Sequence, residues 1–202
     1  YHREHLALVR ATCLFVATKV GDLMDDVVVV GGLVPSLLID QETGQASLEP
    51  HAGTMDLDIG LAAALLDQGR YREISDRLRR SGFSPDENET ENPTRQRWKF
   101  EAREKVTIDF LMPPTSPDER GGSLRDLEPD CAAVIAPGLL LAFRDRRRLS
   151  LSGQTIDGED ATREIWVCGP GAFVVLKSLA FDLRGENKDA YDLVYLLRNY
   201  GA

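Results

Sequence analysis

The spacing of apolar residues along the chain predicts which segments form helices and which form strands. Recurrence at every third or fourth position is typical of one face of a helix, whereas strict alternation is typical of a half-buried strand. We therefore expect helices at about Glu4–Leu23, Leu33–Ile39, Arg70–Arg80, Pro170–Gly185 and Lys188–Tyr200. Strands are expected at Val27–Val30, Met55–Ile59, Trp98–Arg103 and Val106–Phe110, with shorter candidates at Leu139–Phe143, Arg148–Leu151 and Ile165–Cys168.

Segments rich in turn-forming residues separate these elements. Gly31 and Gly32 end the first strand, and the polar stretch from Asp40 to Gly53 predicts an excursion or a small hairpin before the next strand. The two alternating strands on either side of residue 104 predict a β-hairpin. The stretch Pro113–Pro129 is rich in proline, glycine and charge, which favours a loop.

The length and composition are those of an ordinary globular protein. With 202 residues, of which 43% are hydrophobic and 28% charged, the chain is long enough to bury a core. We predict one α+β domain over residues 1–202, with a core at about 24–115 and a C-terminal part of strands and helices at about 130–202. The longest apolar runs are far shorter than the roughly 18 residues that a membrane span needs, so a soluble protein is expected. The chain starts at Tyr1 without a methionine or an apolar signal segment, which favours a fragment or a trimmed chain.

The distribution of charge bears on possible partners. A net charge of -9 argues against a protein that coats nucleic acid by general attraction to phosphates. Two local basic clusters, at 95–105 and 144–148, fit either a solvated face or a local contact with phosphate. Three widely separated cysteines without a CxxC spacing predict reduced thiols in a cytoplasmic protein.

The strand at Met55–Ile59 carries the first candidate chemistry. Apolar and acidic residues alternate there, so Asp56 and Asp58 are predicted to lie on one face, about 7 Å apart. Two like charges so placed repel, and magnesium held by carboxylates and substrate phosphates is the usual compensation. Solvent-facing aspartates on an amphipathic strand give the same pattern, so this pair by itself leaves both interpretations open.

Two further features bear on the same site. Asp109 lies in a predicted strand, where aspartate is unfavourable, and pairing of this strand beside the Asp56 strand would gather three carboxylates able to hold two metal ions. A solvent-facing charge is the alternative. Gly31 and Gly32 lack β-carbons, so a triphosphate could approach the backbone N–H groups of that turn and the start of the next helix. A simple tight turn explains the two glycines equally well.

The order of these features resembles the nucleotidyltransferase superfamily of the polymerase-beta type, whose signature is a glycine-rich turn, a DxD strand and a third carboxylate. The matching segments are Gly31-Gly32, Gly53-Thr54-Met55-Asp56-Leu57-Asp58 and Asp109. The C-terminal stretch resembles the end of AbiEii-type nucleotidyltransferase toxins, in which a helical lysine precedes an RD-x-YDL-like helix; here it contains Leu176-Lys177-Ser178-Leu179-Ala180, Arg184-Gly185 and Lys188-Asp189-Ala190-Tyr191-Asp192-Leu193. The resemblance spans about 27–197 and implies a mixed-sheet core flanked by helices, with C-terminal helices.

The resemblance implies a role for each matching residue near the carboxylates. Asp56, Asp58 and Asp109 would be catalytic and would bind two Mg²⁺ ions. The two glycines would shape the phosphate turn, with Thr54 beside the phosphates. Leu33 stands where many members of the family carry serine or threonine. Ser36 or Thr54 would therefore have to supply the hydroxyl group, and the stretch between Gly32 and Asp56 is longer than the minimal spacing.

The resemblance also implies roles for the C-terminal residues. Lys177 would contact the triphosphate, and Asp189 or Asp192 would anchor the helical part near the site; the sequence does not decide which of the two aspartates faces it. A lysine that flanks an apolar stripe and keeps its ammonium in water is the alternative for Lys177. For Asp189 and Asp192 the alternative is that they are simple first-turn aspartates, which the helix dipole favours. We interpret His51 as a surface residue.

The function that these features imply is nucleotidyl transfer: a nucleoside monophosphate moves from a nucleoside triphosphate, ATP among the candidates, to an acceptor hydroxyl. Toxin relatives suggest an RNA or tRNA end as acceptor and an antitoxin protein as partner, whereas a small molecule or a protein side chain suits the acidic surface better. The main alternative is a nucleotidyltransferase-like binding or partner module without catalysis. A hydrolytic metal site acting on phosphodiesters is weaker, because the three histidines, His2, His5 and His51, do not cluster in the sequence.

Overall fold

The structure is a computed structural model that describes residues 2–39, 51–63, 69–101 and 105–201. Its helices are α1 (His2–Val20), α2 (Val34–Leu38), α3 (Tyr71–Arg80), α4 (Leu139–Arg144), α5 (Pro170–Arg184) and α6 (Asn187–Asn199). Its strands are β1 (Val27–Val30), β2 (Asp56–Leu61), β3 (Phe83–Glu87), β4 (Pro93–Glu101), β5 (Lys105–Met112), β6 (Leu124–Glu128), β7 (Cys131–Ile135), β8 (Arg146–Gln154) and β9 (Asp160–Cys168). Two 3-10 turns, Gly21–Asp26 and Gly31–Leu33, flank β1.

The strands form one mixed sheet, which confirms the α+β class. Seven of its nine strands lie in the order β3-β4-β5-β2-β1-β9-β8, and β7 pairs with β5 and carries β6 at its other edge. The pairs β2–β5, β1–β9 and β5–β7 are parallel, whereas the others are antiparallel. The strand that carries Asp56 and Asp58 is therefore central, between β5 and β1.

Most of the predicted helices and strands are confirmed, and the predicted hairpin is β4 paired antiparallel with β5. The proposed excursion lies largely outside the described residues, which omit 40–50, and so does the hairpin turn at 102–104. The prediction of a strand at Leu139–Phe143 is wrong, because this segment forms helix α4. The loop predicted at Pro113–Pro129 contains β6, and the sequence did not indicate β3 or β7.

A single hydrophobic cluster runs through the molecule and joins both halves of the sheet to the helices. Helix α1 lies against β8 and β9 and also reaches β2 and β5. Trp98 of β4 and Phe110 of β5 are fully buried and meet edge to face, an arrangement that aromatic rings favour. Helices α5 and α6 pack on each other, and the connection between them begins at Gly185, whose φ of 66° is left-handed. No helix in the described part of the chain is long and apolar enough to cross a membrane.

Candidate functional site

The register of three neighbouring strands gathers the predicted carboxylates on one face of the sheet. Asp58 of β2 lies beside Asp109 of β5, and Asp56 lies beside Thr107. Since alternate residues of a strand share a face, Asp56, Asp58 and Asp109 project from the same side. We call these three residues the carboxylate cluster. The Thr107 hydroxyl donates to Asp56 Oδ1 at 2.6 Å, which fixes one carboxylate of the cluster.

Gly31 closes this face on the β1 side. Val30 pairs with Asp58 across the sheet, so the next residue of the chain lies directly against the Asp58 side chain. A β-carbon at Gly31 would stand 1.7 Å from Asp58 Oδ2, and the φ of Gly31 is 71°. Both the space and the left-handed backbone therefore require glycine here. The first glycine of the predicted phosphate turn lies at the carboxylate cluster.

One cation is bound to the carboxylate cluster, and it comes from β4. The Arg97 guanidinium donates to both oxygens of Asp109, from Nε at 2.7 Å and from Nη2 at 2.6 Å. The same Nη2 lies 3.4 Å from Asp56 Oδ2. A forked arginine–carboxylate pair of this kind is among the stronger polar contacts in proteins, and the neighbouring carboxylates raise the pKa of Arg97 above its usual range.

The acidity of Asp58 is strongly perturbed. Burial, followed by the negative charge of Asp109, raises its pKa to about 7. The positive charge of Lys177 opposes this rise, and the charge of Asp56 adds to it. A further cation would stabilise the ionised form of this carboxylate most strongly. Burial removes its hydration, and among the described residues no cation donates a hydrogen bond to it.

The donor chemistry of the cluster fits magnesium, since carboxylate oxygens are the ligands that this ion prefers. The space that a β-carbon would take at Gly31 is filled by the Asp58 carboxylate, which therefore packs directly on the glycine turn. Within the described residues, however, no group of three or more His, Cys, Asp or Glu side chains is arranged to hold a metal ion as it stands. Arg97 binds two of the three carboxylates instead. Metal binding at this site therefore requires Arg97 to loosen its hold on Asp109 and Asp56.

A second set of charges lies where α5 meets α6, and we call it the helical ion cluster. Lys177 Nζ lies 2.9 Å from Asp189 Oδ1 and 2.8 Å from Asp192 Oδ2. Arg184 donates to both oxygens of Asp189, at 2.6 and 2.8 Å. Burial lowers the pKa of Lys177, but the two aspartates outweigh it and the net pKa is raised. Burial likewise raises the pKa of Asp189, and the bonds from Arg184 and Lys177 bring it below its usual value.

His51 is buried against the helical ion cluster, so the expectation of a surface residue is wrong. Its Nε2 lies 2.8 Å from Asp192 Oδ1, and its Nδ1 accepts a hydrogen bond from the backbone N–H of Gly53 at 3.1 Å. With Nδ1 as the acceptor, Nε2 is the ring nitrogen that faces the Asp192 carboxylate. The ring also packs on Tyr191 and Tyr195. His51 thereby ties the segment before β2 to α6.

Thr54 connects the glycine turn to α6. A β-carbon at Gly32 would lie 2.9 Å from Thr54 Cβ and 3.5 Å from Asp192 Oδ2, so the turn approaches both side chains closely. Lys188 Nζ donates to Thr54 Oγ1 at 3.0 Å. Lys188 is exposed whereas Thr54 is buried, which places a solvent-accessible ammonium beside the second glycine of the turn.

The structure thus brings together most of the residues that the sequence singled out. Lys177 does not keep its ammonium in water, because its side chain is only 7% exposed. Asp189 and Asp192 both face it, and Asp192 is the one that also contacts His51 and approaches Gly32. Ser36 differs, since its hydroxyl donates to Leu33 O within its own helical turn at 2.8 Å.

Sequence reasoning missed four polar side chains that contact the predicted site residues: Arg97, Lys188, Arg184 and His51. Arg97 could have been found by counting back from the hairpin turn, because residues equidistant from it pair across β4 and β5. Lys188 and Arg184 lie in the C-terminal stretch that carries the resemblance, but Arg184 ends α5 and Asp189 belongs to α6, so helical spacing does not predict their contact. His51 carried no local signal, since its partner Asp192 is 141 residues away.

Comparison with models of known protein families and with curated protein sequences gave no match for this chain.

Proposed function

We propose that this protein is a metal-dependent nucleotidyltransferase with a nucleotidyltransferase-like core. The observation that carries the proposal is the carboxylate cluster itself: three aspartates on one face of two adjacent parallel strands, two of which are bound by Arg97. These carboxylates lie beside the cavity that Gly31 and Asp58 line. The resemblance to the nucleotidyltransferase superfamily rests on the same order of features along the chain: a glycine turn, a DxD strand and a third carboxylate.

In this proposal Asp56, Asp58 and Asp109 would hold the magnesium ions. When bound, such ions polarise a phosphoryl group and neutralise the charge that develops on it. The protein's own side chains bind and orient the nucleotide. Lys188, beside Thr54 and Gly32, is the accessible cation for the phosphates. Lys177 is engaged by two aspartates, so its contribution is to fix α5 and α6 at the edge of the site rather than to donate a free ammonium.

One observation favours the non-catalytic alternative. Arg97 already satisfies Asp109 and part of Asp56 without any metal ion, as a retained but unused site would allow. In that case the chain would be a nucleotide-binding or protein-binding module, of the kind that pairs with an antitoxin or another partner. Nucleotide binding does not separate the two functions, because both permit it; turnover does.

The test is transfer of label from each α-labelled nucleoside triphosphate, with magnesium and separate RNA, protein and small-molecule acceptor fractions. We expect transfer by the wild type and a loss of roughly a hundredfold to a thousandfold or more in the Asp56→Asn, Asp58→Asn double variant. Asp126→Asn is the control, because Asp126 is an exposed aspartate whose partner is Arg95 rather than the cluster.

Full activity in the double variant, or an equal loss in the control, would remove the carboxylate cluster from the mechanism. Absence of transfer to every acceptor fraction by a folded wild type that still binds nucleotide would favour the binding module.

A further inference from the structure

A cavity of about 480 Å³ opens directly beside Asp58 and extends away from the carboxylate cluster. Its floor continues the face that carries the cluster. Leu111 follows Asp109 by two residues on β5 and so lies on the same side of the sheet, and Val134 of β7 pairs with it. Helix α5 covers the cavity with Leu176 and Leu179. On β5 the same sheet face therefore changes from acidic at Asp109 to apolar at Leu111.

The two ends of the cavity differ in chemistry. Asp58, Gly31 and Lys177 line the cavity beside the carboxylate cluster. Apart from the charged residues Asp182 and Arg184 of α5, the rest of the lining consists of apolar side chains and glycines. At Gly121, for example, a β-carbon would lie 2.7 Å from Pro137 Cγ, and both residues line the cavity. A ligand that fills this space must have one polar group at the Asp58 end and an apolar body beyond it.

Size and charge indicate which ligand suits the cavity. Pockets for small molecules have volumes of roughly 300 to 1,000 Å³ and are mostly apolar with a few polar groups. The charged residues that line this cavity are two acids and two bases, Asp58, Asp182, Lys177 and Arg184, and both bases are bound to aspartates of the helical ion cluster. The cavity thus has no surplus of positive charge, which a polynucleotide would need.

We propose that this cavity binds a small, largely apolar molecule with its hydroxyl group directed at Asp58. Resting on the proposed function, this molecule is the acceptor of the nucleotidyl group. Its oxygen forms a bond to the α-phosphorus, and the bond from that phosphorus to the bridging oxygen breaks, with the electron pair leaving on pyrophosphate. The hydroxyl proton passes to a carboxylate of the cluster. The substrate class is then an apolar alcohol or phenol rather than an RNA end.

Binding is tested with 2-naphthol, a fluorescent apolar molecule with one hydroxyl group, on the full chain without metal or nucleotide. We expect saturable binding at one site by the wild type. Leu183→Asp places a charge at the mouth of the cavity, and Ala180→Phe fills it from α5; each should weaken binding by about tenfold or more. Leu197→Asp is the matched control, since Leu197 is 63% exposed, Leu183 is 59% exposed, and only Leu183 lines the cavity.

Absence of saturable binding, or an equal loss in the Leu197→Asp control, would overturn the proposal. So would displacement of the bound naphthol by a short RNA oligonucleotide, because the cavity would then accept an RNA end. The measurement involves no turnover, so it is independent of the labelling test. A chain that binds naphthol as expected but transfers no label would retain this binding site and lose the nucleotidyltransferase assignment.

Discussion

The carboxylate cluster and the helical ion cluster lie on either side of the glycine turn, and they differ in how far their charges are balanced. In the helical ion cluster two cations, Lys177 and Arg184, face two aspartates, and the side chains of Asp189 and Asp192 are fully buried. In the carboxylate cluster Arg97 binds two of the three aspartates, Asp56 and Asp109, whose side chains remain 30% and 19% exposed.

This difference separates a structural ion cluster from a candidate binding site. Buried charges are tolerated only when each is paired, because an unpaired ion in the interior loses its hydration without compensation. The helical ion cluster meets that requirement and joins α5, α6 and the segment at His51. The carboxylate cluster does not meet it, and its excess negative charge remains accessible to a cation from solution.

The largest expected effect concerns the balanced cluster. Lys177→Met removes the cation shared by Asp189 and Asp192 and leaves a buried negative charge, so we expect the free energy of unfolding to fall by about 3–5 kcal/mol. Lys19→Met is the control, because Lys19 is about one-third exposed in its pair with Asp157 and should change stability by less than about 1 kcal/mol. Urea unfolding at pH 7 measures both. Similar stabilities of the two variants would mean that the helical ion cluster is not structural.

The second effect concerns the acidity of Asp58, whose pKa of about 7 in the folded protein lies above the value of an unfolded aspartate. The folded state therefore keeps a proton that the unfolded state releases, so the contribution of this group to stability is complete below about pH 4 and is lost as the pH rises through 7. For a fully buried group this pKa shift would correspond to roughly 4 kcal/mol of unfolding free energy. Because Asp58 is half-buried, we expect a contribution of about 2 kcal/mol.

Asp58→Asn cannot ionise and removes this dependence. The free energy of unfolding of this variant minus that of the wild type, measured in urea without metal, should increase by about 2 kcal/mol between pH 4 and pH 8. Asp126→Asn should show a flat difference, since Asp126 is exposed. A flat difference for Asp58→Asn as well would contradict the assignment of an uncompensated carboxyl.

The smallest expected effect concerns the counter-ion. If Arg97 competes with a metal ion for Asp109 and Asp56, Arg97→Ala should bind Mn²⁺ about tenfold more tightly than the wild type. Arg95→Ala, on the same face of β4 but paired with Asp126, should bind Mn²⁺ like the wild type. Electron paramagnetic resonance of free Mn²⁺ gives both dissociation constants. Weaker binding by Arg97→Ala would show that the guanidinium supports the metal site instead.

Local patterns predicted the elements of this fold well where one spacing dominated, as in α1, β1 and α5. They failed at Leu139–Phe143, where five consecutive apolar or aromatic residues fit a buried strand and a buried helix equally. Nothing local indicated β3 or β7, whose residues become a strand only because β4 and β5 offer them free edges.

The candidate site likewise contains residues that a local pattern predicts and residues that only tertiary packing brings together. Asp56 and Asp58 follow from a period of two on one strand, and Asp109 needed only the pairing of β2 with β5. The helical ion cluster could not be derived from spacing, because His51 and Lys177 meet Asp192 through the packing of distant segments. Sequence therefore indicated the acidic residues, and tertiary structure determined which cations face them.

The pairing of Arg97 with Asp109 also has a consequence for how the chain selects its native hairpin. Along β4 the charged residues Arg95, Arg97 and Lys99 alternate with Trp98 and Phe100. A slip of one residue between β4 and β5 would turn Trp98 towards the aspartates and place a guanidinium in the apolar interior. The wrong alignment would thus lose a forked ion pair and bury a charge at once. An arginine that binds the carboxylate cluster in the folded protein would, during folding, discriminate between competing strand alignments.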